Sequence, residues 1–325
     1  MTTFRVRAYY PAQPDRLVLR TELDWYNDLR GHPTPDGAEF IFESDRDWLY
    51  FKPCLHSPQG FLWLPGMNRV VTRAAGRRDV YPYFYAGLTG TLRPLRALDG
   101  VRFRVYFPAG YGENTLKRYP VMYVHDGGNL FLPEEAFLGR AWEIDQTLDQ
   151  LHELAVIDQV LVVGVYPGDR MSALTSPGYV GFANWIADRL RPFLDATHRT
   201  LTGPQNTAVM GSSLGGVMAL HSAWSRPDVF GMSACLSSTF GYADDLFDRI
   251  AGEAPANIRI YLDSGWPRDN FERTLAMRDL LMHRGFELGS RLQYLVFPGE
   301  RHNELAWGGR VHVPFQWFFG RQMGG

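Results

Sequence analysis

Cysteine is scarce in this 325-residue chain: there are two, Cys54 and Cys235. Their wide separation excludes the stapled framework of a small secreted domain, and each sits in an apolar stretch, so buried free thiols and a cytoplasmic protein are expected. Long apolar runs are missing too. No segment reaches the roughly 18 apolar residues of a membrane span, and Met1–Arg7 has no apolar stretch behind its charges to act as a signal peptide, so no membrane association is expected. A formal net charge of -2, with 21% charged residues, lacks the basic excess of a nucleic-acid footprint. Metal-ligand spacings, a phosphate loop and a dinucleotide fingerprint are also absent, so chemistry with neither metal nor cofactor is expected. What remains is a globular composition, 45% hydrophobic and 14% aromatic, sufficient for one large domain or two with separate cores.

The most informative stretch runs from Val209 to Leu220. An apolar strand ends at Met210, Gly211-Ser212-Ser213-Leu214-Gly215 follows with Gly216 appended, and an apolar helical run begins. A serine on a tight strand-to-helix turn presents its Oγ to solvent, and the flanking glycines make room for the turn. Ser213 is the candidate nucleophile. Ser212 lacks a glycine two residues before it, where Met210 stands.

The first eighty residues have a different texture. Phe4–Tyr9, Arg16–Arg20, Glu39–Glu43 and Trp48–Lys52 read as short strands, separated by turn chemistry at His32–Gly37, Ser44–Asp47 and Ser57–Gly60. This pattern predicts a small all-β, immunoglobulin-like sandwich over residues 1–85. The order Leu17–Arg20, Trp25, Asp36-Gly37, Tyr50-Phe51-Lys52 and Trp63 with Gly66 and Asn68 resembles the starch-binding and early-set modules that precede many carbohydrate-active and siderophore-esterase domains. Trp25, Trp48 and Trp63 have two readings: filling the sandwich core or packing on the next domain, which is favoured, or stacking on a sugar ring.

From residue 86 to 325, continuous apolar strands at 119–124, 160–165 and 208–210 alternate with helical stretches near 143–154 and 181–195. A mostly parallel sheet with both faces covered is expected, and Ser213 then lies at its carboxyl edge. At the same edge, His125-Asp126-Gly127-Gly128 follows a strand. Acyl transfer builds negative charge on the carbonyl oxygen, so two fixed backbone N–H donors are needed; Leu214 and Gly128 are the candidates, with Gly127 the near alternative. A serine also requires a base, and His302, on the loop after the strand Leu292–Phe297, has the right place and chain order. The acid is sought after the strand Ile258–Leu262, where Asp263 at the strand end and Asp269 beyond the glycine both stand, and Glu304 is a third candidate.

Tyr123–Phe131, Val163-Gly164-Val165 with Arg170 downstream, Gly211–Gly216, and Gly299–Asn303 with Trp307 together resemble the esterase family of α/β-hydrolases that contains esterase D, enterochelin esterases, feruloyl esterases and the antigen 85 mycolyltransferases. The likeness covers about residues 87–320. Many members of that family carry glutamine where Gly128 stands. The resemblance implies an α/β-hydrolase fold and a Ser213–His302–Asp269 triad acting on a small-molecule or glycan-linked ester.

Phe131, Trp266 and Trp307 are expected to wall the cleft, and Arg170, Arg268 and Arg301 either bring charge to its rim or are solvated loop residues. The substrate is left open between a siderophore ester, which wants a basic cavity, and a carbohydrate or feruloyl ester. Transfer to an alcohol acceptor and an inactive glycan-binding protein are the rivals. Self-association as a homo-oligomer is left open.

Overall fold

The computed structural model describes residues 1–11 and 16–320, so residues 12–15 of the expected first unit and 321–325 of the second lie outside the described residues. Nine strands come first: β1 (Thr2–Tyr9), β2 (Leu17–Thr21), β3 (Asp24–Arg30), β4 (His32–Thr34), β5 (Gly37–Ser44), β6 (Trp48–Ser57), β7 (Gly60–Trp63), β8 (Arg69–Thr72) and β9 (Arg77–Val80). They form two sheets. One has the order β4-β5-β1-β9 and the other β3-β2-β6-β7, with β8 also on β6. Alternation places Phe4, Val6 and Ala8 of β1, Leu17 and Leu19 of β2, and Leu49, Phe51 and Leu55 of β6 in one shared core.

The strands β3 and β4 depart from the expectation. His32–Thr34 has turn chemistry in the sequence but pairs with β5, and Asp24–Arg30 is too polar to show a period of two. The tryptophans depart as well: Trp48 and Trp63 do not fill the core but are 44% and 40% exposed on the outer face of their sheet. Trp63 shares the Arg20 guanidinium with Phe61, at 5.2 and 4.5 Å from the ring centroids.

A carboxylate ties the sandwich to the second region of the chain. Glu113 accepts the backbone N–H groups of Phe84, Tyr85 and Ala86 at 2.6, 2.9 and 3.0 Å, and the Tyr10 hydroxyl at 3.0 Å. Asn114 donates to the carbonyls of Tyr9 and Pro82.

The second region holds a nine-stranded sheet made of β10 (Thr91–Leu92), β11 (Arg96–Leu98), β12 (Val101–Phe107), β13 (Val121–His125), β14 (Leu161–Tyr166), β15 (Thr207–Ser212), β16 (Met232–Leu236), β17 (Arg259–Trp266) and β18 (Leu292–Pro298). The order is β10-β12-β14-β13-β15-β16-β17-β18, with β11 on β12. From β14 to β18 all neighbours are parallel, and β12 joins β14 antiparallel. Successive residues on each strand feed opposite layers. Tyr123, Val209 and Leu262 meet one set of helices, while Met122, Met210 and Tyr261 meet the other.

The helices are α1 (Ile144–Glu153), α2 (Arg170–Leu174), α3 (Gly178–Trp185), α4 (Arg191–Thr197), α5 (Leu214–Ser225), α6 (Leu246–Gly252), α7 (Phe271–His283), α8 (Glu304–Arg310) and α9 (His312–Phe319). Helix α1 buries Ile144, Leu148 and Leu151, one stripe at helical spacing. Between α3 and α4 the chain widens into a π-turn at Ile186–Leu190. Pro192, near the start of α4, has no N–H to return to the preceding turn, which accounts for the widening. No helix among the described residues is long and apolar enough to cross a membrane.

Candidate active site

Ser213 occupies the junction of β15 and α5 with φ 55° and ψ -122°, a conformation that costs a residue with a β-carbon about 1–3 kcal/mol. The surroundings enforce it. Its N–H donates to the Leu236 carbonyl at 2.9 Å. A β-carbon on Gly211 would lie 2.4 Å from the Gly215 carbonyl, and one on Gly216 would lie 2.0 Å from Ser238 Oγ. The glycines are therefore packing requirements of the turn, and the first N–H of α5, on Leu214, has no acceptor within the helix.

Three segments converge on this hydroxyl. His302 Nε2 stands 3.0 Å from Ser213 Oγ, and His302 Nδ1 stands 2.7 Å from Asp269 Oδ1. Asp269 is 1% exposed. Burial pushes its carboxyl pKa up, but hydrogen bonds from His302, Ser237 and the Gly265 N–H, with the Arg310 charge, outweigh burial and hold it below the usual range. Asp263 is not at the end of its strand but inside β17, which runs on to Trp266. It faces the Tyr261 hydroxyl at 2.9 Å and Arg310 Nε at 3.2 Å instead of His302. Burial raises its pKa to about 6 against the pull of Arg310. Glu304 begins α8 and takes the Asn129 amide at 3.4 Å, while Asn303 caps that helix by accepting from the Ala306 N–H at 3.0 Å.

Across the cleft, β13 ends at His125, Asp126 follows with φ 57°, and Gly127–Asn129 make one 3-10 turn. Gly127 is buried under the Tyr166 ring, where a β-carbon would come within 2.5 Å; Gly128 is half-buried. Both line a cleft of about 620 Å³ together with Ser213, His302, Arg170 and Trp307. Arg170 forms a two-pronged ion pair with Asp126, both bonds 2.8 Å. The Trp307 ring meets His302 edge-on at 4.9 Å.

Two expected wall residues are elsewhere. Phe131 is 3% exposed and packs in the core beside Gly164, because the 3-10 turn presents Gly128 and Asn129 to the cleft and carries the next residues back into the interior. Trp266 emerges at the end of β17, 49% exposed and outside the cleft lining. Arg268 and Arg301 are exposed and also outside it.

Sequence reasoning missed Arg102, Glu135, Phe137 and Tyr166 in the lining. The Tyr166 hydroxyl donates to Glu135 at 2.7 Å, and Glu135 also pairs with Arg104. It missed Ser237 and Arg310 as well, the latter buried behind Asp269. Arg310 had a signal: it carries the one formal charge between Leu305 and Phe319.

A sequence model of the family described as Putative esterase matches residues 99–316. Among curated proteins, the uncharacterized protein YbbA of Bacillus subtilis (strain 168) is 21% identical over 244 residues, 68% of this chain and 93% of that protein. Among solved structures, a ferulic acid esterase superposes with a TM-score of 0.60 at 14% identity, covering 71% of this chain and 98% of the other. The enterobactin esterase FES of Shigella flexneri, in the presence of 2,3-di-hydroxy-N-benzoyl-glycine, gives 0.57 at 14% identity, covering 97% and 92%. At these identities the structural likeness is one of fold.

Proposed function

Since the chain belongs to the Putative esterase family and is thereby a carboxylic ester hydrolase, we propose that it works through an acyl-enzyme formed on Ser213. Ser213 Oγ attacks the ester carbonyl carbon as its proton passes to His302 Nε2. Asp269 orients the imidazole and stabilises the imidazolium. The oxyanion is met by the N–H groups of Leu214 and Gly128. The C–O bond then breaks, and the departing alkoxide takes the proton from His302. Water repeats the sequence on the acyl-enzyme, releasing the acid and restoring Ser213.

The observation that carries this reading is the pair of separations around His302, 3.0 Å to Ser213 and 2.7 Å to Asp269. Replacing Ser213 by alanine is expected to lower hydrolysis of a p-nitrophenyl ester by about 10⁴ to 10⁶-fold and to abolish labelling by a fluorophosphonate. Turnover within tenfold of the wild type refutes it.

For the substrate, the lining charges favour one of the two alternatives. Arg102 and Arg170 stand against Asp126, Glu135 and Glu304, and Arg170 is already engaged by Asp126. That is not the basic cavity a ferric triscatecholate, itself strongly anionic, calls for. Phe137, Tyr166 and Trp307 offer aromatic surface in its place. The proposed substrate is therefore an uncharged ester with an aromatic acyl group, of the feruloyl kind. A higher kcat/KM on a ferric siderophore ester than on methyl ferulate overturns that choice. The N-terminal sandwich, residues 1–85, is proposed to be an early-set, immunoglobulin-like module preceding the catalytic domain at 86–325. Its two sheets around one core support this, as does the 97% coverage in the superposition on FES. A cytoplasmic location goes with the buried free thiols of Cys54 and Cys235.

A further inference from the structure

Behind Asp269 lies a charged side chain that ester hydrolysis as derived above leaves without a role. Arg310, the last residue of α8, is 2% exposed. Desolvating a guanidinium is costly unless acceptors surround it. Here they line its Nε and Nη2 side, while Nη1 is buried with no hydrogen-bond partner among the described residues. Nε reaches Asp263 Oδ1 at 3.2 Å, Nη2 reaches Asp269 Oδ2 at 3.2 Å, and Nη2 also donates to Ser237 Oγ. The Trp307 indole N–H donates to the same hydroxyl at 2.9 Å.

Donor and acceptor rules then place the protons. Indole and guanidinium N–H groups can only donate. With both directed at Ser237 Oγ, the hydroxyl hydrogen turns to Asp269 Oδ2, which also receives the Gly265 N–H at 2.7 Å. Every other neighbour of the Asp269 carboxylate is thus a donor, and the proton shared with His302 belongs on Nδ1. The lone pair of His302 Nε2 is left facing Ser213.

We propose that Arg310 is a positioning residue: together with Ser237 it clamps Asp269 as an oriented carboxylate and so dictates that the His302 proton sits on Nδ1, leaving the lone pair of Nε2 for the nucleophile. This rests on the Ser213–His302–Asp269 reading. The titratable and charged groups around the cluster are Tyr261 and Asp263 from β17, Asp269 on the loop after it, Arg310 from α8, and Glu304, which lines the same cleft as His302. The Asn270 amide, 3.5 Å from His302 Nδ1, is the nearby uncharged polar group. Once ionised, Asp263 offsets Arg310. Asp263→Asn therefore leaves an uncompensated cation beside Asp269, competing for that carboxylate's charge with the imidazolium formed during turnover.

The test uses full-length Arg310→Met, Arg310→Lys and Asp263→Asn with p-nitrophenyl butyrate. Arg310→Met is expected to lower kcat by roughly 10 to 100-fold with KM within about twofold, short of the ~10⁴ loss known for removing a triad carboxylate's charge. Arg310→Lys, which keeps the cation but not the fork, is expected to recover part of that kcat. Asp263→Asn is expected to move the acid limb of the pH profile of kcat/KM to lower pH. A folded Arg310→Met enzyme with kcat within threefold of the wild type overturns the proposal, as does lysine doing no better than methionine. Should Arg310→Met fail to fold, an unmoved acid limb in Asp263→Asn together with a wild-type kcat in Arg310→Lys overturns it. Ser213→Ala keeps the two readings apart. Its retained activity refutes the nucleophile, whereas its inactivity alongside unaffected Arg310 variants overturns only the role given to Arg310.

Discussion

Replacing Ser213 by glycine is expected to stabilise the fold that it disables. The serine backbone has φ 55° and ψ -122°, where glycine alone is at ease. Relief of that strain is worth about 1–3 kcal/mol, and the greater freedom of glycine in the unfolded chain takes back about 0.5–1 kcal/mol. The net is about 1 kcal/mol, or about 2–4 °C in the melting temperature of a unit this size. Alanine is the right comparison, because both variants lose the bond to His302 and only glycine escapes the strain. The order expected in calorimetry or urea titration is therefore Ser213→Gly above Ser213→Ala. At neighbouring Ser212, inside β15, the order should reverse, since no positive φ is required there. If Ser213→Gly melts at or below Ser213→Ala, the turn is not strained in the way the dihedral angles imply.

His125 is wholly buried with neither ring nitrogen bonded among the described residues, and burial, helped by the Arg170 charge, lowers its pKa to about 3. A depressed folded-state pKa means stability that is present above the unfolded value near 6.5 and lost as pH falls toward 3. Between pH 7.5 and 5 that loss is about 2 kcal/mol, and His125→Leu is expected to flatten this part of a stability-against-pH curve. Gly211→Ala forces a β-carbon to 2.4 Å from the Gly215 backbone, so it is expected to cost about 1–3 kcal/mol in urea titration and to lower kcat more than KM by displacing the start of α5. Glu113→Ala strands three backbone N–H groups and is expected to cost about 2–3 kcal/mol and to open residues 84–86 to limited proteolysis.

The candidate nucleophile turn was legible because its chemistry is local, glycines around a serine, whereas the candidate base was singled out by chain order, its loop past a strand and the family resemblance together. The candidate acid lay among Asp263, Asp269 and Glu304, with Asp269 favoured by the family resemblance. That choice turned on β17 running to Trp266, well beyond its apolar stretch, so that Asp263 stays within the sheet and Asp269 reaches the rim. Phe131 and Trp266 were misplaced for a related reason, since which way a ring points after a 3-10 turn or at a strand end depends on one residue of register. Strand β3 carries Asp24, Asn27, Asp28 and Arg30 and gives no periodic signal at all. Ser237 and Arg310 were out of reach because their meaning is pairwise. A serine past β16 and an arginine in the last turn of α8 become informative only once both are known to touch a carboxylate 32 and 41 residues away.

The carboxylate of Glu113 has a bearing on how this protein can be taken apart. It grips the peptide groups of the connecting segment itself, from the far side of the join, so a cut placed there removes ligands from a side chain that stays behind. Excising the hydrolase as a free-standing fragment, or grafting another module onto its front, would have to carry residues 82–86 along as part of the enzyme.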